Sequence, residues 1–510
     1  GWVEKGDVTT ITNNSSIVFN MSAPTGKANN TGDAQYDGCM MGGVFANLGL
    51  LTESTLYKAK DITNNGQIDI NSSNVKGDFI YIGGCVGNQK NYHVNNADNN
   101  GVINYNESAL FTTFSSANST GVLIGGVFGG AYPKTPISGC KIENCDNTKA
   151  INLKSKSHNL NHMIGGLVGR IRLGSNELYK CTNDGALNFT TTFGSTASGK
   201  SFNIGGLAGY VYAVNTIREC ENKANGDIIL NNARKLYSHY VGGIVGFNYQ
   251  SCAITDSTNR GNIEFKTNSV ASNRIAYVGG IIAAISYANK IYCEGCANYG
   301  NITVEFPETV QPKNVYVGGV LGTTAYHKST EAVEHGRITD CYNFGNVKYH
   351  FKKLATGTYG NVGGVIGYAE ANIQFCCNYG KVEYTVPVGE RTVGGTRPGV
   401  GGVVATATHT VFYCENYGEV YVEGVWSGGT NDNPGAGAYA GAVFGGVVGC
   451  AGIFDVTDST DKVKNCTNYG KFTTKYYCLA TGGTASSQGG VVGYSQMAVE
   501  DCSNEGVVDI

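Results

Sequence analysis

Few residues in this chain have both the type and the spacing to do chemistry. The eight histidines stand at 93, 158, 162, 239, 327, 335, 350 and 409. Only His158 and His162 are close in sequence, just ahead of "MIGGLVG" in a connection that reads as solvated. No histidine is followed by glutamate, so the HExxH pattern of a zinc-peptidase helix is absent. Cys293 and Cys296 have C-x-x-C spacing, but no second such pair and no histidine pair accompanies them, so zinc is not expected. Asp455, Asp458 and Asp461 in "DVTDSTD" are three apart and could offer oxygens to calcium, although the pattern is not an EF-hand loop. A solvated polar loop is the plainer reading. No nucleophile elbow, phosphate loop or dinucleotide fingerprint stands in a credible setting. No catalytic residue and no cofactor is assigned, and a chain that is not an enzyme is expected.

The glycine-rich tracts that imitate such motifs belong to a repeat. A diglycine begins at Gly42, Gly83, Gly125, Gly165, Gly205, Gly242, Gly279, Gly318, Gly363, Gly401, Gly445 and Gly489. The mean period is about 41 residues, in the range of repeat architectures. After each diglycine comes C-x-N-x-G-x-[IV] or a loosened form of it. Its asparagines are Asn64, Asn99, Asn147, Asn183, Asn222, Asn259, Asn298, Asn343, Asn378, Asn416, Asn468 and Asn504. Each unit reads as three short strands: one through the diglycine, one ending at the cysteine, and one after the later glycine. No sustained helical period of apolar residues is found.

A three-strand unit cannot bury its own apolar face, but stacked copies share one core. The expected fold is all-β: a single elongated parallel β-solenoid of about twelve rungs of roughly 41 residues. Residues 1–41 form a partial starting repeat and lead-in, and 42–510 the continuous array. A β-propeller has a similar period, but 4–8 blades of four strands fit twelve three-strand units poorly.

Stacking turns repeat positions into columns of touching residues. The asparagine is expected at a turn where a left-handed backbone is tolerated, with its amides bonded up and down the column, notably Asn259, Asn298, Asn343, Asn378, Asn416 and Asn468. Positions equivalent to Cys296 hold Ile62, Ala97 and Ser257 as well as cysteines, so this column reads as buried small filler and free thiols. The residue after the asparagine becomes aromatic in five consecutive units: Tyr299, Phe344, Tyr379, Tyr417 and Tyr469. At about 4.8 Å per rung this strip spans about 19 Å. Rings stacked there shield a corner; they would also form a surface along which a linear glycan or partner chain could lie. Trp426 in a long C-terminal insertion could extend it.

Composition bounds the partners. Lys plus Arg is 36 and Asp plus Glu is 39, a net charge of −3 that lacks the basic excess of a nucleic-acid binder. No apolar run reaches the roughly 18 residues of a membrane helix. The first residues lack a signal peptide's basic and apolar regions. The chain opens and closes in mid-unit without a polar cap, so flanking domains or self-stacking at its ends are expected.

The alternation of "GGIVG" with C-x-N-x-G-[NK]-[IV] resembles the GLUG-type repeat from about Gly42 onward. That module occurs in bacterial surface and secreted proteins, including the region ahead of the catalytic domain in immunoglobulin-A1-cleaving metallopeptidases. The resemblance implies a surface β-solenoid, extracellular or on a bacterial cell. Taken with the aromatic strip, the expected role is adhesive, binding or scaffolding, for a glycan or for a host or bacterial surface ligand. A carbohydrate-active β-helix enzyme and a subunit of a surface filament or layer are the alternatives.

Overall fold

The computed structural model describes residues 1–21, 38–49, 55–73, 79–108, 121–131, 140–156, 161–172, 176–191, 201–212, 215–232, 238–249, 252–267, 274–286, 292–306, 312–324, 336–351, 359–386, 389–390, 399–427, 442–452, 460–478 and 487–510. The chain divides into two compact units, 1–262 and 263–510. Each is a parallel β-solenoid, and the described residues contain no helix.

One turn of the first unit shows the construction. An incoming strand, Ser201–Gly205, ends on the first glycine of the pair, and an outgoing strand, Ala208–Tyr212, starts after the second. The asparagine segment follows as Asn215–Arg218 and the two residues Glu221–Asn222, and a return strand, Ile228–Asn232, closes the turn. The second unit repeats this as Tyr359–Gly363, Ile366–Ala369, Asn372–Gln374 with Cys377–Asn378, and Val382–Thr385. Each turn therefore has four strand positions and not three. The diglycine breaks what looks in sequence like one strand, because the chain turns a corner there.

The strands of one turn pair in parallel with their equivalents one turn on: Gly205 with Gly242, Asn183 with Asn222, Leu187 with Ile228, and in the second unit Gly318 with Gly363 and Asn343 with Asn378. This register makes a solenoid rather than radial blades. Among the described residues incoming strands number six in each unit, matching the twelve diglycines. The other positions each add one strand, so twelve rungs is slightly short.

Side-chain alternation fills the core. In Ile228–Asn232 the first and third residues, Ile228 and Leu230, are fully buried while Ile229 turns outward. The small residues explain why the two sequence marks travel together. A β-carbon on Gly206 would sit 1.9 Å from the Gly243 carbonyl oxygen and 2.6 Å from Asn222 Cγ. The second glycine thus abuts its own unit's asparagine across the coil, and only a hydrogen fits.

The left-handed position is not the asparagine. Of thirteen non-glycine residues with positive φ among those described, twelve lie three residues before a column asparagine, from Thr10 to Asp501; Gly295 fills that place before Asn298. The residue just ahead of the cysteine position takes the bend. The asparagine itself lies in a short bridge pairing in parallel with its neighbours.

Candidate functional site

The asparagines form two continuous amide ladders. In the first unit each Nδ2 donates to the Oδ1 one turn on, from Asn13 through Asn64, Asn99, Asn147, Asn183 and Asn222 to Asn259, at 2.7–2.8 Å. In the second the chain runs from Asn298 through Asn343, Asn378, Asn416 and Asn468 to Asn504, again at 2.7–2.8 Å. The other Nδ2 hydrogen goes to a nearby main-chain carbonyl in the same turn, that of Ser15 for Asn13, Lys149 for Asn147 and a glycine elsewhere, as from Asn378 to Gly380 at 2.7 Å. Asn378 and its neighbours are fully buried, so the ladder spends its polar groups on itself. It positions whatever the next residue displays.

That next residue is the strip. Tyr299, Phe344, Tyr379, Tyr417 and Tyr469 stack with centroids 4.6, 4.9, 4.9 and 4.7 Å apart and planes 3–11° from parallel. All five remain 40–44% exposed. The spacing follows from the strand separation, since one ring is anchored per rung. Stacking consumes the faces of the inner rings, so the strip presents ring edges and the phenol hydroxyls of its four tyrosines. The Tyr417 hydroxyl donates to Glu415 Oε2 at 2.8 Å; this bond, then burial and the carboxylate's charge, holds the phenol well above its ordinary range. Tyr379 is also raised, by burial first and then by Cys377 and Glu415.

A second pair of rings was missed in the sequence. Phe375 and Tyr413, in the turns that carry Tyr379 and Tyr417, stack at 5.5 Å and 9° and are 43% and 46% exposed. Both occupy the left-handed position, with φ of 53° and 49°. The signal was present in "QFCCNYG" and "FYCENYG", where that place changes from Asp or Asn to an aromatic. Trp426 lies on the strand Val420–Ser427, beyond the strip's turn, and its side chain falls outside the described residues.

The remaining candidates do not converge. His158 lies outside the described residues, while His162 is fully buried in the strand Asn161–Gly165, stacked on Phe202 at 4.4 Å. The solvated reading of His162 was wrong because its place in the incoming strand faces packed neighbours. Asp455 and Asp458 also lie outside the described residues. Asp461 is buried and bonded to the preceding turn, accepting from the Thr410 N–H at 3.1 Å and Thr410 Oγ1 at 2.9 Å, with His409 Nδ1 at 3.0 Å. Those bonds occupy its oxygens.

The cysteine column is packed core. Among the described residues sixteen cysteines are free, and Cys145, Cys181, Cys220, Cys296, Cys341, Cys376, Cys414 and Cys466 are buried. Burial pushes the Cys181 and Cys220 thiols well up. Cys293 and Cys341 have sulfurs 3.7 Å apart. Among the described residues no group of three or more His, Cys, Asp or Glu side chains could hold a metal ion.

Residues 237–264 match the family model described as the GLUG motif. The chain carries the GLUG motif. The matched stretch runs from the strand before Gly242 through Asn259 to the start of the next return strand, and so contains one diglycine and one ladder asparagine. No curated protein and no solved structure matches the chain significantly. One GLUG motif and a β-solenoid fold fit a surface or adhesive repeat protein.

Proposed function

We propose that this GLUG-repeat protein is a non-catalytic binding scaffold, extracellular or at a bacterial cell surface, that holds a linear partner such as a glycan along its aromatic strip. The observation that carries the reading is the row of five half-exposed rings held in register by a buried amide ladder. Contiguous exposed apolar surface is uncommon without a partner. A partner meets ring edges flanked by the Glu415 carboxylate and the tyrosine hydroxyls, which suits a chain that is apolar on its C–H groups and polar at its hydroxyls.

The test replaces Tyr379 and Tyr417 together by alanine and screens wild type and variant on a glycan array and on intact bacterial and host cell surfaces. The expected outcome is a ligand that binds wild type and is lost or weakened in the variant, with circular dichroism unchanged. Unchanged binding in the variant removes the strip from the function.

A further inference from the structure

The outward face of the first unit's return strands carries a second polar array that the repeat does not require. Asn104 Nδ2 donates to Asp69 Oδ1 at 2.8 Å, Asn152 to Asn104 at 2.8 Å and Asn188 to Asn152 at 2.9 Å. Two residues along each strand a parallel row holds Asn71, Asn106, Lys154 and Thr190, in register through the strand pairs. These rows without Asn71, together with Leu153, line an open groove of about 370 Å³. In the second unit the same strand positions hold no asparagine and several are charged, with Lys266 between Glu264 and Glu305 and Lys348 bridged to Glu383. The amide character is therefore particular to the first unit.

The hydrogen-bond inventory of the groove selects its ligand. Each asparagine amide has two N–H groups and a carbonyl oxygen with two lone pairs. Asn104 and Asn152 each spend one donor and one acceptor on the row, and Asn188 spends one donor. On each of these three asparagines the row leaves over at least one N–H and one lone pair, repeating at about 4.8 Å. Such alternation suits hydroxyl groups, which donate and accept at once. Charge points the same way: Asp69 and Lys154 offset each other, so the groove favours a neutral partner over a polyanion or polycation. The lining side chains are amides, one hydroxyl, one ion of each sign and Leu153, which is itself buried, so an apolar peptide segment finds no exposed apolar side chain to cover.

We propose that this amide-lined groove binds a neutral polyhydroxylated chain, a linear glycan, laid across the return strands. It is a site separate from the aromatic strip and does not depend on that reading. Each contact exchanges a hydrogen bond to water for one to protein, so single rungs contribute little and affinity comes from several rungs acting on one chain.

The experiment is titration calorimetry of the full chain with cellohexaose, laminarihexaose and mannohexaose, and with a heparin hexasaccharide as the anionic comparison. It uses wild type, Asn104→Ala with Asn152→Ala, Asn188→Ala alone, and the Tyr379→Ala, Tyr417→Ala strip variant. The expected result is that a neutral hexasaccharide binds wild type and that the double amide variant weakens it about tenfold, the equivalent of one or two hydrogen bonds. Asn188→Ala should weaken it less, and the strip variant should leave it unchanged. Circular dichroism verifies folding, and Asn188→Ala carries the test by itself if the double variant misfolds. Four outcomes overturn the proposal: no neutral hexasaccharide binds, heparin binds more tightly than all of them, the amide variants bind as wild type does, or the strip variant abolishes the binding.

Discussion

Replacing Asn378 by alanine should be among the most damaging single changes available in the second unit. Its Nδ2 donates to the Gly380 carbonyl at 2.7 Å and to Asn416 Oδ1 at 2.8 Å, and its Oδ1 accepts from Asn343 Nδ2 at 2.8 Å. The side chain is fully buried, so no water replaces these bonds. Truncation orphans an N–H on Asn343, a lone pair on Asn416 and the Gly380 carbonyl. Each unsatisfied buried group costs about 1–3 kcal/mol, which puts the total at about 3–6 kcal/mol after partial relaxation. The control is Asn65→Ala. Asn65 Nδ2 donates to Asn14 Oδ1 at the same 2.8 Å, but both side chains are exposed, and its loss should cost no more than about 0.5 kcal/mol. Urea unfolding of the three proteins measures the difference. Because repeat stability is a sum over neighbouring turns, hydrogen exchange should also rise in peptides spanning 341–347 and 414–420. If Asn378→Ala and Asn65→Ala destabilise equally, the ladder gains nothing from burial and the reasoning fails.

Two further changes test other parts of the structure. Gly319→Ala places a β-carbon 1.9 Å from the Gly364 carbonyl oxygen and 2.3 Å from Asn343 Cγ, so it should destabilise by about 1–3 kcal/mol or more, read by thermal unfolding; a variant as stable as wild type would show that the diglycine is not there for close approach. Asp98 carries a buried carboxylate oxygen, Oδ1, with no hydrogen-bond partner, and burial, then the neighbouring Asp146, pushes its pKa up to about 6. Its folded pKa lies above the unfolded one, so the folded chain holds a proton the unfolded chain has released, and stability falls as pH rises from about 4 to about 6. Asp98→Asn should therefore add about 1–2 kcal/mol at pH 7, after discounting for partial exposure, and flatten the profile between pH 4 and 6. Denaturation series at pH 4 and 7 would refute this if the two proteins keep a constant difference.

The period, the parallel stacking and the asparagine column were legible in the letters because a solenoid places equivalent residues in contact, so its physics repeats wherever its sequence does. The aromatic strip was legible for the same reason: five consecutive repeats alter one position in the same way. The corner at the diglycine was not, since an unbroken apolar run such as "YVGGIVG" looks like one strand until the clash of a β-carbon with the facing asparagine is seen. Nor was the left-handed residue. Asp, Asn, Lys, Glu, Phe and Tyr all occupy that place, because the bend is imposed by the strand pairing on both sides and not by residue preference.

Sequence alone thus determined that coils stack and which residues share a column. Only the tertiary structure decided which way each column points, whether into the core like Asn378, outward with faces already spent on neighbours like Tyr379, or across a groove like Asn104. A column's composition records what is repeated, whereas its direction depends on four corners whose angles come from packing across the coil.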